Sequence, residues 1–343
     1  MKRKIIKQGH NTLTITLPSK WVKKLNLSSG NEIDILEKEN MLLINANENL
    51  KEKSTVIDIT DFTVPLLWRY FQSAYRSGCD EIKIIFDPNK KEYEDAFTYY
   101  TTHFDYSKLG ERIPPKSAQL MIQSVVDRFL NVAIIKSGRG YCIIKEMGEP
   151  TTKEFDNSLR RIFIIISQMF DRTIQAIKDG EINDVNICKE IKAMDINIDK
   201  FVDYCCRIIN KLRFSFPDNK RSLLFSTLFM LELIGDEFKY IAKHLALSKR
   251  PVNETLELVE KVKGHFEIYY KLFYKFDRNQ AITFGKNDRL VYEEHYKYDK
   301  LVYEERYKFK NKTGEGRSIA RHFMSISKFL LDLSELRIGM EFD

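Results

Sequence analysis

The sequence predicts a multi-domain protein with a small all-β head, an α+β connector and a C-terminal all-α body. Residues 12–17 alternate apolar and hydroxyl side chains with a period of two, which is typical of a half-buried strand. Residues 54–147 mix strand-like and helical segments, whereas the chain from residue 151 onward shows helical periodicity throughout. The predicted domains are therefore residues 1–46, 54–147 and 151–343, with a polar linker after the head.

The composition limits the class of protein. A length of 343 residues suits two or three domains, and 43% hydrophobic residues suffice for buried cores. No apolar stretch is long enough to span a bilayer, and the basic N-terminus is not followed by the apolar core of a signal peptide. Five cysteines without a CxxC pair indicate reduced thiols. We therefore expect a cytoplasmic protein without membrane insertion.

The head is predicted to contain four strands and one short helix. Strands are expected over residues 4–7, 12–17, 32–36 and 41–44, and a helix is expected to begin at Pro18. A unit of this size cannot bury enough apolar surface alone, so the pattern predicts an intertwined homodimer.

The charge of the head is strongly unbalanced. Its first thirty residues contain no Asp or Glu, although the whole chain has a net charge of only +7. Such an imbalance is the electrostatic footprint of a protein that binds a phosphate backbone. The alternative is a basic surface with no partner, because lysine is common on all protein surfaces. The cationic residues are Lys2, Arg3, Lys4, Lys7, Lys20, Lys23 and Lys24.

Residues 7–35 have the pattern K-x-G-x-x-T-L-T-I-T-L-P-S-K-W-x-K-K-L-x-L-x-x-G-x-E-I-D-I. This pattern resembles that of the AbrB/MazE/SpoVT swapped-hairpin DNA-binding family. The resemblance implies an interlaced dimer whose basic face meets DNA. Because Arg3 is the only arginine here and arginine is the commonest specific base reader, we expect salt-dependent affinity with little sequence specificity. The candidate DNA-binding residues are Arg3, Lys4, Lys7, Thr14, Thr16, Lys20, Lys23 and Lys24.

The connector is predicted to be a small α+β, ferredoxin-like domain without an active site. Strands are expected over residues 55–59 and 81–86, helices over 65–76 and 117–128, and a hairpin over 132–145. An inserted helix with a loop is expected over residues 93–110. The hairpin glycines, Gly138 and Gly140, fit a turn better than a phosphate-binding loop, because no helix follows them.

The body is predicted to be a helical bundle that opens with a capping box at Thr151 and Glu154. Breaks are expected at Pro217, Pro251, Gly285 and residues 314–316. A near-repeat of eleven residues within 288–309 is interpreted as a local duplication that lengthens an exposed helix. The expected helices are 152–179, 184–213, 219–248, 252–283, 287–311 and 317–338.

Two pairs of carboxylates stand out in the body. Asp195 and Asp199, like Glu232 and Asp236, are four residues apart and so share one face of a helix. If the two helices face each other, four carboxylates form an oxygen-ligand metal site. The alternative is two solvated pairs on the helix surface. Asp203 continues the first series and could extend the cluster.

Residues 152–248 resemble one three-helix repeat of the PhoU family of phosphate-uptake regulators, through Asp195-Ile-Asn-Ile-Asp199 and Glu232-Leu-Ile-Gly-Asp236. Residues 252–338 resemble a second repeat. There Glu335 corresponds to Asp236, and Leu331 replaces the matching glutamate. Glu294 and Tyr298 fall roughly where Asp195 and Asp199 would, so a second metal cluster is degraded. The resemblance implies that Asp195, Asp199, Glu232 and Asp236 bind a divalent or iron ion, with Fe, Zn, Mn and Mg all open.

Two functions follow from these features. The first is a phosphate-signalling regulator that binds DNA through its dimeric head and a metal through its helical body. The alternative is an adaptor whose head only dimerises and whose body docks on a phosphate ABC transporter or a sensor kinase. We expect no enzyme, because the sequence shows no nucleophile–base pair, phosphate loop or Glu-x-x-His motif.

Overall fold

The computed structural model describes residues 1–38, 41–45, 52–62, 64–90, 117–212, 215–308 and 314–342. The chain divides into two compact units, Met1–Lys53 and Ser54–Asp343. The first unit is the head, and the second contains the connector and the helical body. The helix expected over residues 93–110 lies outside the described residues.

The head consists of two antiparallel hairpins and one short helix. Strands β1 (Ile6–Gln8) and β2 (Thr12–Thr14) form the first hairpin, and Gly9 supplies the positive φ of 73° in its turn. Helix α1 (Ser19–Lys24) follows Pro18. Strands β3 (Asp34–Lys38) and β4 (Met41–Asn45) form the second hairpin. A small N-terminal β domain is thus confirmed.

The described side chains of the head form no buried core of their own. None of the head side chains that the structure describes is buried. Apolar side chains on both hairpins are largely exposed, with Leu13 at 67%, Ile35 at 60% and Leu42 at 60%. Exposing so much apolar surface in so small a unit is unfavourable, so we expect these side chains to be covered by a partner surface.

In the residues that the structure describes, the connector is a four-stranded mixed sheet with two helices. It comprises β5 (Ser54–Asp58), α2 (Val64–Arg76), β6 (Glu81–Ile85), α3 (Ala118–Val126), β7 (Val132–Gly138) and β8 (Tyr141–Glu146). The strand order is β5-β6-β8-β7, and only β5 and β6 run parallel. On the central strand β6, Ile82 and Ile84 alternate with less buried residues. One face of the sheet is therefore packed.

The ferredoxin-like arrangement expected for the connector is wrong for the described elements. They follow the order β-α-β-α-β-β, whereas a ferredoxin-like unit has the order β-α-β-β-α-β. The difference arises at β6, whose antiparallel neighbour is β8 at the end of the domain, not the next strand in sequence. Strand propensity locates the strands but does not determine which of them pair.

Residues beyond 151 are mostly helical, as predicted. The helices are α4 (Thr152–Lys178), α5 (Val185–Lys211), α6 (Asp218–Leu247), α7 (Leu256–Tyr274), α8 (Arg278–Lys308) and α9 (Glu315–Gly339). The capping box at Thr151 and Glu154 is confirmed. Helix α6 packs mainly against α5 and α9. The connector and the helices share one hydrophobic core.

The break predicted at Gly285 is wrong. Helix α8 runs through Gly285, and the chain breaks instead at residues 275–277. The Asp277 carboxylate accepts hydrogen bonds from the backbone N–H groups of Asn279 and Gln280, at 2.8 and 3.0 Å. Those N–H groups have no partner inside a helix, so Asp277 stabilises a new N-terminus there. A glycine within a helix costs only about 1 kcal/mol, too little to end it.

Arg207 of α5 joins the helical body to the connector. Its fully buried guanidinium donates hydrogen bonds to the backbone carbonyls of Tyr75 and Cys79, at 2.8 and 2.9 Å. It also pairs with the Glu146 carboxylate at 2.9 Å. Lys211, one turn further along α5, contacts the same carboxylate. One arginine therefore satisfies polar groups at the ends of α2 and β8.

Low pH is expected to destabilise the protein through His265, because burial lowers the pKa of this side chain to about 4. The unfolded chain then binds more protons than the folded chain between about pH 6.5 and 4. The free energy of unfolding should fall by about 3 kcal/mol as the pH drops through that window. Denaturant titrations of the wild type and of His265→Gln at several pH values would measure how much His265 contributes to the pH dependence of the free energy of unfolding.

The His265→Gln chain should lose that part of the pH dependence, whereas the variant of the exposed head residue, His10→Gln, should keep it. Equal pH dependence in all three proteins would show that His265 titrates normally in the folded state.

Candidate functional site

The predicted DNA-binding residues are exposed, apart from the half-buried Thr14. Lys7 is in β1, and the Thr14 hydroxyl at the end of β2 donates a hydrogen bond to the Ile6 carbonyl at 3.3 Å. Thr16 lies in the extended segment before α1. Arg3 and Lys4 precede β1 and are exposed.

Helix α1 carries the densest group of cations in the head. Lys20, Lys23 and Lys24 are exposed and, at spacings of three and four residues, lie on one face of the helix. The other face carries half-buried Trp21 and Leu25. The local amphipathic pattern therefore presents three ammonium groups together on the face opposite Trp21 and Leu25.

The four predicted metal-ligating carboxylates lie where α5 and α6 approach each other. The approach is close at Gly235, where a Cβ atom would lie 3.0 Å from Ile198 Cδ1 and 3.1 Å from Asp195 Oδ1. A larger residue at that position would require these two side chains to shift by a few tenths of an ångström. Asp195 Oδ1 is buried and has no hydrogen-bond partner among the described residues.

Cationic side chains face these carboxylates. Lys239 Nζ lies 2.8 Å from Asp195 Oδ2 and also contacts Asp236. An Arg128 nitrogen lies 3.2 Å from Asp199 Oδ2. Arg76 contacts Asp203 and lies 3.7 Å from Glu232 Oε2. We call this group, Asp195, Asp199, Asp203, Glu232 and Asp236 with Lys239, Arg76 and Arg128, the carboxylate cluster.

Burial dominates the electrostatics of the carboxylate cluster. Desolvation, together with the neighbouring Asp199, raises the pKa of Asp195 to about 7 against the opposing effect of Lys239. Desolvation and Asp199 also raise the pKa of Glu232 to about 8, although Arg76 opposes them. The carboxylates therefore repel one another in a poorly solvated place, and a cation placed among them is stabilised.

The arrangement in the described residues is an ion-pair network. No group of three or more His, Cys, Asp or Glu side chains in that part of the chain is placed to hold one metal ion. Sequence reasoning found the carboxylates but missed their partners. Lys239 had a signal, its spacing of three residues from Asp236, whereas Arg76 and Arg128 come from the connector and had none.

The second repeat is arranged differently. Glu294 lies 2.5 Å from Lys261 and 3.4 Å from Lys297, whereas Leu331 and Glu335 are exposed on α9. The Tyr298 side chain lies outside the described residues. These positions form a salt bridge and an exposed helix face, with no second carboxylate cluster among the side chains described.

None of the helices in the described ranges has the length and apolar character needed to cross a membrane.

Comparison with known families gave one result, at the N-terminus. Residues 6–51 match the family described as antidote-toxin recognition MazE, bacterial antitoxin. The PhoU resemblance of the body is not supported by a family match. Neither characterised proteins nor solved structures gave a match to the chain. The protein therefore carries a MazE/AbrB-like domain at its N-terminus, followed by a mostly helical body.

Proposed function

We propose that the protein is a homodimeric regulator that binds DNA through its N-terminal head. The observation that carries this proposal is the combination of two properties in one small domain. Its apolar hairpins are uncovered in a single chain, and its first thirty residues carry exposed cations without any acidic residue.

Dimerisation supplies what the single head lacks. A second copy placed against the exposed hairpins buries Leu13, Ile35 and Leu42, whose burial is favourable by about 25 cal/mol per Å² of apolar surface. The dimer then carries two copies of each cationic group. Lysines act as point charges toward phosphates, so binding is strong at low salt and weakly dependent on DNA sequence.

The test is DNA binding by the full chain and by a chain lacking residues 1–46, titrated against salt. For six to ten phosphate contacts we expect affinity to fall about 10³- to 10⁵-fold between 50 and 200 mM salt. The truncated chain retains the compact unit from Ser54 onward and should not bind. Equal binding by both chains, or no binding by the full chain at low salt, would contradict the proposal.

We further propose that the helical body is the sensory part of this regulator, that it reports phosphate status, and that its carboxylate cluster accepts a divalent or iron ion. The phosphate assignment rests on the PhoU resemblance. The metal assignment is supported by the unpartnered Asp195 Oδ1 and by the crowding of like charges around it. The Lys239 ammonium contacts both Asp195 and Asp236. A metal ion would therefore bind in exchange for that ammonium.

This exchange predicts the behaviour of a Lys239→Met variant. Removing the ammonium leaves the same carboxylates without their competing cation, so affinity for Mn²⁺ should rise about tenfold or more, as expected when a charge partner is lost. Asp195→Asn should lower it. Calorimetric titration of folded protein measures both. Unchanged affinity in Lys239→Met and Asp195→Asn would place any Mn²⁺ elsewhere.

A second candidate function is favoured by the scarcity of arginine in the head, which contains only Arg3. In that function the head only dimerises, and the body docks on a transporter subunit or a sensor kinase. The DNA titration separates the two, because an adaptor of this kind remains dimeric and shows no salt-dependent DNA binding.

A further inference from the structure

Two histidine–glutamate pairs join helices α6 and α9. His244 Nδ1 of α6 lies 2.5 Å from Glu315 Oε2 of α9, and His322 Nδ1 of α9 lies 2.5 Å from Glu237 Oε2 of α6. Residue numbers rise along one helix as they fall along the other, so the helices are antiparallel and the pairs are reciprocal. None of these four residues belongs to the carboxylate cluster.

The two helices contribute the same local sequence to these contacts. Glu237-Phe-Lys-Tyr-Ile-Ala-Lys-His244 in α6 and Glu315-Gly-Arg-Ser-Ile-Ala-Arg-His322 in α9 share the pattern E-x-(K/R)-x-I-A-(K/R)-H. In each, Glu and His are seven residues apart, about two helical turns, and so lie on one face. The shared pattern accounts for the near-symmetry of the two pairs.

The two imidazoles converge on each other. Side chains on a helix lean toward its N-terminus, so in antiparallel helices His244 and His322 lean from opposite ends toward a common centre. Their ring centroids are 5.5 Å apart, with an angle of 30° between the planes. Tyr240 stacks on the His322 ring at 5.3 Å and limits its rotation.

The chemistry of each ring is set by its carboxylate. A carboxylate at Nδ1 holds the proton of a neutral imidazole on that atom, which leaves the Nε2 lone pair available. The side-chain hydrogen bonds that the structure describes for the two rings both lie at Nδ1. The side chains of His244 and His322 are 22% and 23% exposed, so an ion can reach them from solvent.

We propose that His244 and His322 form a binding site for a transition-metal ion of the Zn²⁺, Ni²⁺ and Cu²⁺ class, coordinated through both Nε2 atoms. Imidazole nitrogen suits these ions, whereas Mg²⁺ and Ca²⁺ prefer oxygen. At metal–nitrogen distances of about 2.0–2.1 Å, two imidazoles on one ion bring their ring centres to a separation close to that observed. Glu237 and Glu315 are positioning residues that orient the rings, and water fills the remaining coordination positions.

The site differs from the carboxylate cluster in its ion preference, and a titration with two metals separates them. Zn²⁺ should bind the full-length protein with one equivalent at the histidines, and this binding should be absent in His244→Gln/His322→Gln. Cu²⁺ added in place of Zn²⁺ should show two nitrogen ligands by electron paramagnetic resonance. Mn²⁺ binding, if present, should be the same in both proteins.

Matched variants keep the test independent of folding. His10→Gln removes an exposed histidine from the head and should leave Zn²⁺ binding unchanged. Glu237→Gln keeps both imidazoles but weakens the orientation of His322, and should lower Zn²⁺ affinity about 10- to 100-fold. The helical circular dichroism signal of each variant, compared with that of the wild type, tests whether the variant is folded.

Two results would overturn the site. One is Zn²⁺ binding that persists unchanged in the folded double variant, which would assign the ion elsewhere. The other is a folded wild type that binds no Zn²⁺, which would leave the two pairs as a purely structural link between α6 and α9.

Discussion

Replacing Arg207 by methionine is expected to lower the free energy of unfolding by about 3 kcal/mol. The substitution leaves the carbonyls of Tyr75 and Cys79 without their donors in a buried place. It also removes one of the two cations on Glu146. Because Lys211 still contacts that carboxylate, we expect the loss to fall at the lower end of the range for a broken buried pair. Denaturant-induced unfolding of the full chain measures the difference.

The control for this prediction is Arg161→Met, on the exposed side of α4, which removes the same charge and should change stability by less than about 0.5 kcal/mol. Lys211→Met should have an intermediate effect, since that ammonium is partly exposed. If Arg207→Met were as stable as Arg161→Met, the connector and the helices would not depend on this contact.

Replacing Lys20, Lys23 and Lys24 together by glutamine is expected to reduce the dependence of DNA affinity on salt. Each lysine that neutralises a phosphate contributes about 0.9 to the slope of log affinity against log salt. Loss of three such contacts should reduce the magnitude of the slope by about 3. The reduction should be up to twice as large if both heads of the dimer contact the DNA. The three lysines are exposed on α1 and glutamine keeps the length of the side chain, so the dimer should persist.

The matched control removes the same charge from exposed positions of the helical body, by changing Lys153, Lys189 and Lys249 to glutamine. That variant should keep the wild-type slope, which separates contact with DNA from a general change in net charge. Equal slopes in both triple variants would show that α1 does not face the phosphates. Size-exclusion chromatography with light scattering verifies that both variants remain dimeric.

Several elements could be predicted from local sequence. The capping box at Thr151 and Glu154 and the breaks at Pro217 and Pro251 depend on neighbours along the chain, as does the start of the strand expected over residues 12–17, which the structure forms only over Thr12–Thr14. Gly285 lies inside helix α8 because a glycine weakens a helix interior by only about 1 kcal/mol. The helix begins instead at Arg278, where the Asp277 carboxylate caps its first N–H groups.

In the candidate sites, some features follow from local sequence and others only from tertiary contacts. Asp195 and Asp199 are four residues apart on one helix, so the sequence predicts that they share one face. Their partner Arg128 comes from another part of the chain, and no periodicity connects residues so far apart. The same holds for the His244–Glu315 pair, whose members belong to different helices.

The sequence by itself determined the acid-free basic head, its hairpin pattern and the helical character of the body, because charge content and hydrophobic periodicity are properties of neighbouring residues. Only the tertiary structure decided which charges meet. Strand pairing placed β8 beside β6, helix packing at Gly235 brought Asp195 close to α6, and the antiparallel contact of α6 with α9 brought two histidines together. These contacts join residues distant in sequence, so they depend on packing that no local pattern encodes.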